Sequence, residues 1–203
     1  MKRWKVVFVV ATLIVAFVLL TSAVLAAVTT DELVAICDIL YSDVFGVPNG
    51  EPLGVCQWDM AIINASDAGS YGQATGAGVK VGVIDSGVDL DHPDIEPNLN
   101  LDLSCSFIFD DTPTADPGEI ANGDCSNKAA VDDLNGHGTH VSSNIAAPIN
   151  GIGIAGVAPE ATIVGLKACT FAGYCFSDSV AAALRYAGDE RLDVVNHSLF
   201  ADP

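Results

Sequence analysis

Two groups of residues in this sequence could do chemistry. The first is Asn135-Gly136-His137-Gly138-Thr139-His140-Val141, in which a histidine sits between two glycines where a turn runs into a helix. Residues 141–147 are small and apolar and Pro148 stops the helix, so His137 falls in its first turn. The positive end of the helix dipole opposes further positive charge there, which suits an uncharged imidazole acting as a general base. Such a base needs a carboxylate on its other ring nitrogen to fix the tautomer. The second group supplies one. Asp85 closes the apolar run Val79-Lys80-Val81-Gly82-Val83-Ile84, and functional groups collect at the carboxyl ends of strands in open α/β sheets. With Asp89, Asp91 and Asp94 following, the same neighbourhood equally suits an oxygen-rich metal loop, and on the residues alone both readings stand. Gly151-Ile152-Gly153-Ile154-Ala155-Gly156 matches the dinucleotide fingerprint as a bare pattern. Its context is wrong, because that fingerprint follows a strand and opens a helix, whereas here a proline-ended helix precedes and a strand follows.

The elements that must position these residues follow from periodicity. Residues 79–84 are too rich in β-branched side chains for an exposed edge, so a buried, parallel strand is expected. Residues 161–167 and 192–199 read as two further strands, and 178–187 as a helix with Val180, Ala183, Leu184 and Ala187 on one face. Strands alternating with helices imply an α/β fold with a doubly wound parallel sheet. Upstream, 29–41 reads as one short helix capped at Thr30, 46–54 as a linker and 57–73 as an amphipathic lead-in. Residues 98–126 read as a long surface excursion.

The chain has 203 residues, half of them apolar, which suits one domain with a sizeable core, or a piece of a larger one, and excludes disorder. Lys2, Arg3 and Lys5 precede an apolar run over 6–20 that ends in Val24-Leu25-Ala26, so residues 1–26 are expected to be a signal peptide and the protein to be secreted. An uncleaved membrane anchor over 6–28 is the alternative; after cleavage no stable membrane association is expected. The formal net charge is −18, and cleavage removes three basic residues and no acidic one. Such a chain repels nucleic acid and anionic membranes; its carboxylates serve solubility, calcium binding or both. Six cysteines behind an export signal fit three disulfides, and proximity in the chain pairs Cys37–Cys56, Cys105–Cys125 and Cys169–Cys175. Nothing in the sequence indicates an oligomeric state.

Val83-Ile84-Asp85-Ser86-Gly87-Val88-Asp89 with His92-Pro93-Asp94-Ile95 resembles the aspartate motif of the subtilisin-like serine proteases, and the stretch around His137 resembles their histidine motif, in the same order. Gly151 to Pro159 is similar to the segment after the family's histidine helix, and Asp193 to Leu199 to the strand that borders its cleft. The layout this implies is a signal peptide at 1–26, a short N-terminal region and linker at 27–55, and a partial subtilisin-like peptidase domain at 56–203. The implied activity is serine-type hydrolysis of proteins or peptides on a subtilisin-type sheet that is incomplete here. Carried over residue by residue, Asp85 orients the base His137, and Ser198, Leu199 and Phe200 line the cleft and pair with an extended peptide. His92 and His140 are scaffold. The resemblance also implies a structural calcium ion, held by Asp94, the Asn150 side chain and the carbonyls of Pro148, Ile152 and Ile154; an ordinary glycine-rich turn is the alternative.

The sequence departs from the family in three places. The nucleophile motif Gly-Thr-Ser-x-Ala-x-Pro and the oxyanion asparagine are not among these residues; Phe200-Ala201 stand where many members carry two glycines; and the segment after the signal is short for a folded pro-domain. The expectation is therefore the front part of a protease domain, inactive alone because a triad acts as a unit. A secreted peptide-binding protein that keeps the fold without the chemistry is the rival. A calcium module without protease ancestry is disfavoured by the intact histidine motif.

Overall fold

The computed structural model describes residues 29–199, so the expected signal peptide or anchor, and Phe200, lie outside the described residues. Four parallel strands, β1 (Lys80–Asp85), β2 (Cys105–Ser106), β3 (Thr162–Lys167) and β4 (Val194–Asn196), form one sheet in the order β2-β3-β1-β4. Lys80 of β1 stands opposite Thr162 of β3 and Asp85 opposite Lys167, while Val81 to Val83 pair with Val194 to Asn196. Alternation along the strands divides the core. Val81, Val83 and Ile163 point to one face with Ala146 and Ala147, and Ile84, Val164 and Leu166 point to the other with Ala183 and Ala187. Burial on both faces is why these strands read as near-continuous apolar runs.

Helix α1 spans Thr30–Cys37, α2 Trp58–Ile62, α3 His137–Ala146 and α4 Ser177–Asp189. Helix α3 covers the first face of the sheet and α4 the second. It stops as expected: Ala147, before Pro148, is extended at φ −58 and ψ 126. The buried face of α4 is Ser179, Ala183 and Ala187, rotated from the expected one, and Leu184 is exposed. Small residues on that face let the helix approach the sheet closely.

Three boundaries differ from expectation. Thr29, not Thr30, caps α1, because Glu32 is three residues on and closes a capping box: Thr29 Oγ1 accepts from the Glu32 amide at 3.3 Å and Glu32 Oε2 from the Thr29 amide at 2.8 Å. Within 98–126, Cys105 and Ser106 pair with Leu166 and Lys167 as the edge strand β2, and Phe107 and Ile108 are buried, so that stretch is part of the sheet and not only surface. The last strand is three residues long, and Ser198 and Leu199 follow it. The disulfides are those expected from proximity. Residues 46–57 are packed on the sheet domain: the Leu53 amide donates to the Gly153 carbonyl and Gln57 Nε2 to the Ala155 carbonyl, each at 2.8 Å. No helix among the described residues is long and apolar enough to cross a membrane.

Candidate active site

Asp85 is the last residue of β1 and His137 the first of α3, so a strand end and a helix start meet. They meet at Gly138. A Cβ there would collide with the Gly87 carbonyl and stand 3.1 Å from Asp85 Cβ, so only glycine lets the helix come this near. The result is a hydrogen bond of 2.7 Å between His137 Nδ1 and Asp85 Oδ1, the carboxylate side chain 2% exposed and the imidazole 51%. The Ser86 amide donates to the same carboxylate oxygen at 2.7 Å. Asp85 Oδ2 is buried without a partner among the described residues, which leaves much of the carboxylate's charge to act on the imidazole. A carboxylate at Nδ1 keeps the ring proton there and leaves Nε2 as the acceptor.

A carboxylate that sequence reasoning missed builds the turn before the histidine. Asp133 Oδ1 accepts from Ser86 Oγ at 2.9 Å and from the amides of Asn135 at 3.0 Å and Gly136 at 2.9 Å. Its Oδ2 accepts from the Thr139 amide at 2.9 Å and Thr139 Oγ1 at 2.7 Å. Ser86 Oγ in turn accepts from the Gly138 amide at 2.9 Å, joining the aspartate loop to the histidine helix. Burial alone would raise the Asp133 carboxyl; hydrogen bonds from the Thr139 hydroxyl, the Gly136 and Thr139 amides and the Ser86 hydroxyl outweigh it and hold the group below the ordinary carboxylate range. The only cue in the sequence is an aspartate four residues before His137.

Beneath both loops lies a buried cation, also missed. Lys167 Nζ donates to the carbonyl of Ser86 and, at 2.8 Å, to that of Asp132, and pairs with Glu119 at 2.9 Å with both side chains inaccessible. One ammonium group therefore ties the chain after Asp85 to the chain before His137. Asn135 Nδ2 donates to the Phe171 carbonyl at 2.8 Å, which sets the loop closed by Cys169–Cys175, with exposed Phe171 and Tyr174, beside the histidine turn. Ser142 and Ser143 are buried on α3, and Ser143 Oγ donates to the Thr139 carbonyl at 2.9 Å. Ser198 is exposed beyond β4 and Leu199 half-buried.

Of the expected metal ligands, Asp94 meets the 148–154 loop through the Ile154 amide. Asp94 is 3% exposed, its Oδ2 accepts from the Ile154 amide at 2.9 Å, and its Oδ1 is buried without a partner among the described residues. Burial pushes the Asp94 carboxyl above its ordinary range, against the pull of that amide and the Asn150 side chain, and the charge of Glu51 adds to the push. The Asn150 side-chain oxygen turns the loop by accepting from the Ile152 amide at 2.9 Å. Among the described residues the carbonyls of Pro148, Ile152 and Ile154 accept no backbone hydrogen bond outside regular elements. A Cβ at Gly153 would meet Asp94 Oδ2, so the loop can close on the carboxylate only with glycine there. His92 and His140 line a cleft of about 430 Å³ beside Asp94 and touch neither Asp85 nor His137 through hydrogen bonds.

Residues 76–200, which include Asp85, Asp94, His137 and Lys167, match the subtilase family over more than half of the chain. The chain belongs to the subtilase family. This subtilase is 37% identical over 142 residues to Subtilisin Savinase of Lederbergia lenta, covering 70% of this chain and 44% of that protein. It is 37% identical over 142 residues to an alkaline protease of Alkalihalobacillus alcalophilus, covering 31% of that protein. Over 137 residues it is 37% identical to the minor extracellular protease Vpr of Bacillus subtilis, covering 68% of this chain and 16% of that one. The subtilase chain thus spans less than half the length of each of these relatives, and its parallel sheet is an incomplete α/β sheet of the subtilisin type.

Proposed function

We propose that this subtilase is the aspartate- and histidine-bearing part of a secreted serine endopeptidase whose nucleophilic serine and oxyanion donors are not among these 203 residues. The observation that carries the reading is the 2.7 Å hydrogen bond from a half-exposed imidazole to a buried strand-end carboxylate. In that arrangement His137 Nε2 takes the serine proton, Asp85 stabilises the imidazolium that forms, and water later releases the acyl group. The chain alone, lacking nucleophile and oxyanion donors, hydrolyses no peptide bond at a measurable rate. Protein or peptide substrates pair as an extended strand with the backbone of Ser198, Leu199 and Phe200 beyond the edge strand β4. Secretion is supported by the basic-then-apolar N-terminal segment and by three disulfides, which persist in oxidising compartments.

Asp94, Asn150 and the carbonyls of Pro148, Ile152 and Ile154 would hold calcium, whose chemistry there is structural: a hard cation gathering the orphaned Asp94 Oδ1 with neutral oxygens of the loop. The test of function is to join the chain to the carboxyl-terminal part of a subtilase and assay a chromogenic peptide. Activity that His137→Ala and Asp85→Asn each lower by about 10⁴-fold supports the assignment; activity indifferent to both changes refutes it. A joined protein that binds the peptide and never cleaves it would instead support the non-catalytic reading.

A further inference from the structure

Of the six cysteines, all disulfide-bonded, only Cys175 is exposed. It pairs with buried Cys169 across a sequence separation of 6, against 19 and 20 for the other two disulfides. A short ring gains least from its cross-link in the chain-entropy account, and exposed disulfides are the labile ones. A thiolate in solution can therefore reach Cys175 Sγ first. What this disulfide holds is the loop beside the histidine turn. Cys169 faces Cys175 across an antiparallel bridge, the Thr170 amide donates to the Tyr174 carbonyl at 2.9 Å and the Gly173 amide to the Thr170 carbonyl at 2.8 Å. Residues 171–175 are all exposed, so no buried side chain anchors the tip. At the base, the amides of Ala168 and Cys169 donate to the Asp85 carbonyl at 2.9 and 3.1 Å. At the tip, the Phe171 carbonyl accepts from Asn135 Nδ2 at 2.8 Å, and Asn135 Oδ1 in turn accepts from the His137 amide at 3.3 Å. One small ring thus reaches Asp85 directly and His137 through Asn135.

We propose that Cys169–Cys175 is a redox site for dithiol reductants, and that its reduction frees the 170–175 loop from Asn135 and loosens the turn that holds His137. The exchange balances. One thiolate of the dithiol attacks Cys175 Sγ and breaks the bond to Cys169, which leaves as a thiolate; the second thiol of the reductant, deprotonated in its turn, then displaces Cys175 from the mixed disulfide. Each released thiolate takes up a proton that the dithiol gave up. Two electrons pass to the protein, which ends with two thiols, while the dithiol ends as its own disulfide. A dithiol suits the step better than a monothiol because its second attack is intramolecular. Once the cross-link is gone, only a few solvent-exposed backbone hydrogen bonds and the Asn135 contact close the loop, the kind of segment that opens at low cost. The redox site stands on exposure and ring size; its bearing on catalysis rests on the reading of Asp85 and His137 as the catalytic pair.

The test uses the full chain and graded dithiothreitol under native conditions, with alkylation and peptide mass spectrometry to name the cysteines reduced and hydrogen exchange to read the loops. We expect Cys169 and Cys175 to be labelled at reductant concentrations at least about tenfold below those that open the other two disulfides. Amide exchange over 170–175 should then rise at least about tenfold, with a smaller rise over 133–139 and none over 80–84, and reoxidation should reverse both rises. Asn135→Ala should keep the first rise and make exchange over 133–139 the same in both redox states. Joint replacement Cys169→Ser and Cys175→Ser should give the reduced pattern without reductant; if that variant fails to fold, the wild-type titration decides alone. Opening of another disulfide first, or of all three together, overturns the redox site. Reduction that leaves 133–139 unchanged, or a redox response that survives Asn135→Ala, overturns the coupling to His137. No readout requires hydrolysis of a peptide bond, so failure of this proposal and failure of the endopeptidase reading are seen separately.

Discussion

Replacing Asp133 with alanine removes the acceptor of five hydrogen bonds, and their donors do not suffer equally. The amides of Asn135 and Gly136 belong to exposed residues and can turn to water. Thr139 is 8% exposed and Ser86 1%, so the loss concentrates on the Thr139 amide and the Ser86 hydroxyl. An abandoned buried donor costs ~1–3 kcal/mol, which puts Asp133→Ala at about 2–5 kcal/mol. In a chain of this size that lowers the melting temperature by roughly 5–15 °C. Asp133→Asn should cost less, about 1–3 kcal/mol, because one oxygen still serves the turn while the amide group faces only the Thr139 amide as a mismatched donor. The effect must depend on pH with a fixed sign. The folded carboxyl lies below its unfolded value, so its contribution is complete above the unfolded value of ~3.9 and is lost as pH falls through the folded one. Thermal unfolding followed by circular dichroism should show the full gap between wild type and Asp133→Ala at pH 7, shrinking below about pH 4. A variant within about 2 °C of wild type at pH 7, or a gap that persists unchanged in acid, would refute the reasoning.

Two further predictions concern the contacts that bring Asp85 and His137 together. Gly138→Ala forces α3 off the Gly87 carbonyl, costs ~1–3 kcal/mol, and should remove the downfield proton resonance of a carboxylate-bonded His137 Nδ1–H; retention of that resonance would show that the close approach is not needed. Lys167→Met strands Glu119 as a buried unpaired charge and should destabilise by ~3–5 kcal/mol in urea unfolding. The double variant Lys167→Met with Glu119→Leu should recover most of that loss, and no recovery would mean that the carbonyls of Ser86 and Asp132, rather than the ion pair, carry the stability.

What could be read in advance were features with a local signal. The β-branched runs of β1 and β3, the proline after α3 and the near-neighbour cysteines each need only a window of sequence, and all appear where expected. Strand β2 could not be read, because two residues show no period and Cys105 and Ser106 owe their pairing to Leu166 and Lys167, far along the chain. Charged residues in the interior were invisible for a different reason. Lys167, Glu119 and Glu51 are buried against the ordinary preference of their types, and each is compensated, or calls for compensation, by groups distant in sequence. Asp133 falls between the cases: it is close to His137, but its function lies in three dimensions, where a loop amide, a helix amide and a hydroxyl from after β1 reach one carboxylate.

The sheet order has a consequence for how the chain folds. β1 lies between β3 and β4, so both of its partners are synthesised after it: Lys80 waits for Thr162, and Val81 for Val194. Pairing of this kind closes long loops before any contact rewards them, which makes folding slow compared with hairpins or helical bundles. Through that interval Val81, Val83 and Ile84 form an uncovered apolar strand with both edges open, the kind of segment that seeds aggregation. Yield therefore depends on how long β1 stays uncovered as well as on the stability finally reached, and any factor that shields this strand during synthesis raises recovery while leaving the folded state unchanged.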